Sequence, residues 1–293
     1  MKERILILLL ALASSLPLRA DEGSVAFPFL RINQDPRSAA MGEVSLYTNP
    51  AATVWLEGHG AAGLSWQSWK PGPSSFLSAG GYGILANRFG IKASFSKQSE
   101  TPYDLVDENA QPAGSFTPGT LRADFGFSAK LTDRLSAGIN AVYASRTLAA
   151  DSRTNAFAAD IALMGVFDSF QLAGGARLLG GKILSASGKG FALPASAFLS
   201  SGYLLAFGEK NTLQAALEAE YFFYGAPAVQ AGLEYGWNHM LYARAGYHYG
   251  GLIPSHASAG IGFDLKGFCV NFSYLFGAGD INGSLLIGAS YRF

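Results

Sequence analysis

The sequence predicts an all-β protein: a transmembrane antiparallel up-and-down β-barrel of about 14 strands, with a short N-terminal hatch in its lumen. Three observations lead there. From about Gly60 onward apolar residues recur at every second position, the period of a strand. The opposite face carries Gly, Ala, Ser and isolated charges, not the bulky, fitted residues of a sandwich core. Short connections also alternate with longer ones, as periplasmic turns and extracellular loops do in membrane barrels.

Composition sets the bounds. The 293 residues hold 21 Lys and Arg against 21 Asp and Glu, a formal charge of +0. Only 14% are charged, whereas soluble domains carry about 25%. A balanced charge offers no basic field, so nucleic acid is not an expected partner. Aromatic content of 13% excludes disorder. The lone Cys269 excludes an intramolecular disulfide framework and a cysteine-based zinc cluster.

Residues 1–20 read as a signal peptide: Lys2 and Arg4, the apolar run from Ile5 to Ala13, then Leu18-Arg19-Ala20 before Asp21. The run is too short for a helical span, so cleavage and export are expected. Gly190 to Gly208 lacks charges, but Pro194 and its glycines and serines argue against a membrane helix.

Residues 21–58 differ in pattern from the strand-forming region. Phe27 to Leu56 has mixed polarity and no period-two run. Gly42 permits a tight backbone and Pro50 fixes φ, so a short helix and a turn are expected. A segment of this length ahead of a barrel is expected to fold into the lumen as a plug.

Residues 59–293 divide into strands near 60–70, 74–87, 89–101, 118–131, 135–146, 155–167, 170–182, 194–208, 211–224, 227–238, 240–250, 255–266, 268–276 and 282–293. Leu121, Ala123, Phe125, Phe127 and Ala129 share one face, and Arg122, Asp124, Gly126 and Ser128 the other. Phe170, Leu172, Ala176 and Leu178 form another apolar face opposite Arg177. In a membrane barrel the apolar face meets lipid and the polar face lines the lumen. That parity turns Arg122, Asp124, Asp160, Arg177, Glu218, Glu220, Glu234 and Arg244 inward. Their mixed signs suggest ion pairs that hold the plug, since unpaired buried charge is costly. Trp66, Trp69, Tyr221, Phe223, Tyr235, Trp237, Tyr249 and Tyr291 lie near strand ends, where interfacial aromatic girdles are expected. Links near 102–117, 147–154, 183–193 and 251–254 are expected as extracellular loops.

The chemistry of catalysis is thin. Of the histidines His59, His239, His248 and His256, only His248 and His256 flank one loop, and surface-loop positions are expected for them. No converging ligand set predicts a metal, no cofactor is implied, and no nucleophile context supports a hydrolase. The glycine-rich run from Gly277 to Gly283 lacks the endings of a phosphate or calcium loop.

Phe29-Leu30-Arg31-Ile32, Asp35-Pro36-Arg37-Ser38-Ala39-Ala40-Met41-Gly42 and Asn49-Pro50-Ala51 together resemble the N-terminal signature of the PorV/PorQ family of outer-membrane barrels. That family is similar in fold to the FadL long-chain fatty acid transporters. Leu193-Pro194-Ala195-Ser196, Gly232-Leu233-Glu234-Tyr235, Arg244-Ala245-Gly246-Tyr247 and the run from Ser258 to Phe263 resemble further blocks of the family. The terminal Tyr291-Arg292-Phe293 is similar to the aromatic signal of outer-membrane barrels, which implies Tyr291 and Phe293 as the residues read by the barrel-assembly machinery.

The resemblance implies fourteen strands, an N-terminal hatch built on Arg37, Ser38, Ala39, Met41, Gly42, Asn49, Pro50 and Ala51, and a place in outer-membrane lipid. It implies a non-catalytic role in type IX secretion, with secretion components or cargo as partners at the cell surface. The alternative is a FadL-like transporter whose partner is a hydrophobic small ligand.

Overall fold

The computed structural model describes residues 25–293 except 108, 110, 150–151, 185–187 and 209. The expected signal peptide lies outside the described residues. Fourteen antiparallel strands close into one barrel. They are β1 (Gly60–Trp69), β2 (Ser74–Leu85), β3 (Phe89–Glu100), β6 (Gly119–Lys130), β7 (Leu135–Ala149), β8 (Ser152–Phe167), β9 (Phe170–Gly180), β12 (Ser196–Phe207), β13 (Asn211–Phe222), β14 (Pro227–Trp237), β15 (Leu241–Gly250), β16 (His256–Leu265), β17 (Phe268–Gly277) and β18 (Ser284–Arg292). Two small hairpins, β4 (Tyr103–Val106) with β5 (Pro112–Phe116) and β10 (Ile183–Leu184) with β11 (Gly190–Phe191), are inserted between successive barrel strands. The seam is formed by β1 and β18, with Ala61 opposite Arg292 and Ser68 opposite Leu285.

Register keeps the two faces apart around the ring. Phe125 stands between Ala93 and Ala141 and is 61% exposed on the outer surface. One residue back, Asp124 turns to the lumen and bonds to Arg122 and Asn140. Leu64, Phe157, Leu163, Leu233, Ile261 and Tyr291 join Phe125 outside. Gln67, Ser128, Asn140, Ser200, Gln230 and Ser273 are buried within. This is the inverse of a water-soluble protein and the order that lipid imposes.

Connections sort by end. At the end that carries Phe293, the links at 86–88, 168–169, 238–240 and 266–267 are tight. Ala86-Asn87, Asn238-His239 and Lys266-Gly267 are consecutive left-handed pairs, the backbone that joins twisted strands in two-residue hairpins. The opposite end carries both inserted hairpins. Among the described residues no helix is long and apolar enough to cross a membrane, and much of Gly190 to Gly208 is strand β12.

Three expectations need correction. The link near 147–154 is largely strand: β7 reaches Ala149 and β8 starts at Ser152, so this hairpin projects further than its neighbours. Leu178 is buried instead of facing lipid. Between Ala159 and Ile161 the β8–β9 register shifts, Leu178 takes φ 51, and its N–H donates to Asp160 Oδ1 at 2.7 Å. The one extra residue of this bulge, where Arg177 and Leu178 together oppose Asp160, reverses the parity beyond it. Trp69 belongs to no girdle. It shares the odd, inward face of β1 with Gln67 and packs among Phe76, Ile253, Leu275 and Ile281.

The segment ahead of β1 runs the length of the lumen. At the loop end Ala26 N donates to Ala192 O at 2.8 Å, and at the other rim His59 N donates to Phe293 O at 2.7 Å. Between them lie a 3-10 turn (Pro28–Arg31), the helix α1 (Pro36–Ala40) and a 3-10 turn (Pro50–Trp55). Asp35 caps α1 through Ser38 N and Asn49 caps the last turn through Ala51 N, and a proline follows each cap.

Replacing Phe125 by Arg should destabilise the barrel in bilayers by about 2–4 kcal/mol, whereas Asp124→Asn should cost less. Denaturant titration of both variants in lipid checks the orientation, and equal losses would refute it.

Candidate functional site: the plugged lumen

The N-terminal segment meets the wall backbone to backbone, and glycines make that possible. A Cβ on Gly246 would collide with the nitrogen of Gly42, and one on Gly138 would collide with the Pro50–Ala51 peptide. Gly42 is itself confined, at φ 69, with Ala231 O and Tyr247 O each 2.6 Å from where its Cβ would be. Ser258 fastens the same turn, accepting from Gly42 N and donating to Ala40 O, both at 3.0 Å.

Ion pairs hold the segment from the side. Arg37 grips Glu234 through two bonds of 2.9 and 2.7 Å, reaches Gln214 at 3.2 Å and lies over the Tyr47 ring. Glu234 also accepts from Arg244 at 2.5 Å, and Arg244 extends to Asn271 at 2.7 Å. Arg31 donates to Glu220 at 2.6 Å, and Glu220 is shared with Arg177 at 3.2 Å. Glu218 pairs with Arg177 at 2.7 Å and accepts from Ser45 N, Ser45 Oγ and Ser200. Each shared carboxylate therefore has one wall guanidinium and a second group from the segment, which is how buried charge is tolerated.

The structure places all eight charges expected to face the lumen inside it. Glu218, Glu220 and Glu234 touch the segment directly, as does Arg177 through Ser45. Arg122 donates to Leu30 O at 2.8 Å while forming a two-bond pair with Asp124. Asp124, Asp160 and Arg244 bond only to wall residues. Of the motif residues, Ser38 bonds to Val44 O inside the segment, and Ala39, Met41 and Ala51 are buried. Pro50 and Asn49 shape the turn beside Gly138. Tyr291 and Phe293 lie on the outer surface. The space lined by Asp35, Arg37, Ser38, Met41, Val44, Tyr47 and Thr48 is about 10 Å³, no more than the least that one water needs.

The histidine expectation is overturned. His248 and His256 pair across β15 and β16, both are buried, and their rings stack with centroids 5.2 Å apart. His248 Nδ1 lies 3.2 Å from the carboxylate of Glu43, which follows Gly42 in the segment. Burial pushes the Glu43 carboxyl above its usual range, against the pull of His248 and Arg31. A sequence signal existed: His248 has the same parity as Arg244, and the strand continues through it. Lys92, which donates to Thr48 O at 2.9 Å, and Trp55, which donates to Ser136 at 2.8 Å, are further contacts not anticipated. Among the described residues no group of His, Cys, Asp and Glu is arranged to hold a metal.

The lumen is layered. Along the segment Met41, Val44, Leu46, Ala51 and Ala52 pack on Met164, Ala173 and Phe198. The charged belt runs alongside this group: Phe198 stands opposite Glu220, and the Arg177 guanidinium lies over its ring. Toward the loop end the lining turns apolar: Phe27, Phe29 and Leu30 meet Val142, Leu178 and Leu193, and beside them lie the Trp69–Phe76 and Phe222–Ala228 groups.

No protein-family model matches the chain, and no curated protein sequence does. Solved structures do. The Pseudomonas putida toluene transporter TodX superposes with a TM-score of 0.64 at 16% identity, covering 88% of this chain and 98% of that one. CymD, a monoaromatic hydrocarbon channel, gives 0.64 at 12% identity over 89% and 98%. A Pseudomonas aeruginosa FadL homologue gives 0.50 at 11% over 89% and 98%. At these identities the likeness is one of fold.

Gly246→Leu should expel the Gly42 turn while leaving the barrel wall intact. Expected is a normally heat-modifiable barrel in which a Val44→Cys probe, in a Cys269→Ala background, reacts with maleimide at least tenfold faster. An unreactive probe would show that the close contact is dispensable.

Proposed function

We propose that this protein is an outer-membrane channel for hydrophobic small molecules, with residues 21–58 acting as a hatch in a barrel formed by 59–293. One observation carries the reading: the loop end of the lumen is lined by apolar side chains, among them Phe27, Phe29, Trp69, Phe76, Phe222, Ile253 and Ile281. A porin for water-soluble solutes needs a polar mouth, whereas each Å² of apolar ligand surface buried here gains about 25 cal/mol. The bulge in β9 sets Leu178 in this lining, against Phe27 and Phe29 of the hatch. The solved neighbours described as hydrocarbon channels and a toluene transporter support the same reading.

Type IX secretion, the other role that the N-terminal motif implies, draws no support from those neighbours. In our reading the chain is non-catalytic and is exported by a cleaved signal peptide. Lipid surrounds its outer face, and the assembly machinery recognises Tyr291 and Phe293.

Purified barrel should quench or shift the fluorescence of buried Trp69 on adding an alkylbenzene. Phe76→Asp, beside it, should weaken binding at least tenfold. Absence of saturable binding by the unaltered protein would defeat the proposal.

A further inference from the structure

Beside the apolar lining is a row of polar side chains whose hydrogen-bonding atoms the ion-pair network uses only in part. Gln230, His248 and His256 stand opposite one another across β14, β15 and β16, and they are 2%, 3% and 1% exposed. Backbone carbonyls fix the protons on both rings. His256 Nδ1 lies 2.8 Å from Pro254 O, and a carbonyl can only accept, so Nδ1 carries the hydrogen and Nε2 presents a lone pair. His248 Nε2 lies 2.9 Å from Gly250 O in the same way, so its Nδ1 is an acceptor, and the buried Glu43 carboxyl 3.2 Å away meets it only by supplying the proton. Gln230 Nε2 donates to Glu220 at 3.4 Å, leaving Oε1 to accept. His256 Nε2 and Gln230 Oε1 are buried acceptors with no protein donor. In the same neighbourhood Arg31 Nε, above the Phe222 ring, is a buried donor with no acceptor. Buried polar groups are nearly always paired, so these atoms indicate a partner from outside the chain.

The neighbours define that partner. His256 sits against Ile281, since a Cβ on the adjoining Gly277 would meet both, and Ile281 packs with Ile253, Leu275, Phe76 and Trp69. A molecule reaching the row must be apolar along its body and must donate a hydrogen bond at its end. An ionised carboxylate would set lone pairs against lone pairs, beside the Glu220 carboxylate. A hydroxyl donates to the row and can also accept from Arg31.

We propose that Gln230 and His256, with His248 positioned by Glu43, form a docking subsite for the polar end of the transported molecule. The class selected is hydrophobes with a hydroxyl, such as alkylphenols and long-chain alcohols, over plain hydrocarbons and ionised fatty acids. This rests on the channel reading and specifies its substrate.

Calorimetry on the full-length barrel in detergent, with hexylbenzene, 4-hexylphenol and heptanoate at pH 7.5, tests it. The phenol should bind roughly tenfold more tightly than hexylbenzene, the gain of one well-formed buried hydrogen bond, and heptanoate more weakly than either. In His256→Phe, which keeps an aromatic ring but removes the acceptor, the phenol-to-benzene ratio should fall to about one. Gln230→Met should lower the same ratio and supplies the reading if His256→Phe fails to assemble as a heat-modifiable barrel. Equal binding of phenol and hexylbenzene by the unaltered protein overturns the subsite, because bound water then satisfies the row. So does a ratio that survives both substitutions, or tighter binding of heptanoate. Hexylbenzene binding would still stand in those cases and keep the channel reading, whereas failure of all three ligands would remove both.

Discussion

A carboxylate held between two guanidinium groups, one from the wall and one from the N-terminal segment, organises the interior. Glu234 has this arrangement with Arg244 and Arg37, and Glu220 with Arg177 and Arg31. Wall strands that face lipid outside must bury their polar face against something, and buried charge is stable only when paired. The wall pairs neutralise themselves in part, and the segment completes them. The same belt thus closes the lumen and fixes the height at which the segment sits.

Around that belt the two ends of the lumen differ. Aliphatic and methionine side chains of the segment pack with Phe198 beside the belt, whereas aromatic and branched residues line the end beneath the loops. The wall glycines set how closely the segment can lie. With Gly246 and Gly138 under it, the backbone of the segment occupies space that side chains would take in an empty barrel.

The strands are legible because lipid enforces a strict period of two, and fourteen segments of the expected lengths emerge from alternation alone. Legibility fails where parity is broken or hidden. Trp69 is three residues from Trp66 and so cannot share its face, but nearness to a strand end masks this. Leu178 reverses because a bulge inserts one residue that alternation does not reveal. His248 and His256 fall inside the strands that alternation gives, and they read as loop residues only because they flank the link at 251–254. The N-terminal segment is visible only as a lapse in periodicity. Its path depends on contacts with residues about two hundred positions away, such as Arg37 with Glu234, and no local pattern encodes those.

The seam has a consequence for biogenesis. β1 starts where the lumenal segment ends, and its partner β18 follows the other thirteen barrel strands in the chain. The cylinder therefore cannot be zipped shut until β18 has been made, and by then some thirty residues must already lie inside the curling sheet, because a sealed wall leaves them no sideways entry. Folding order is thus written into chain order: the occupant is threaded first, and the enclosure is built around it.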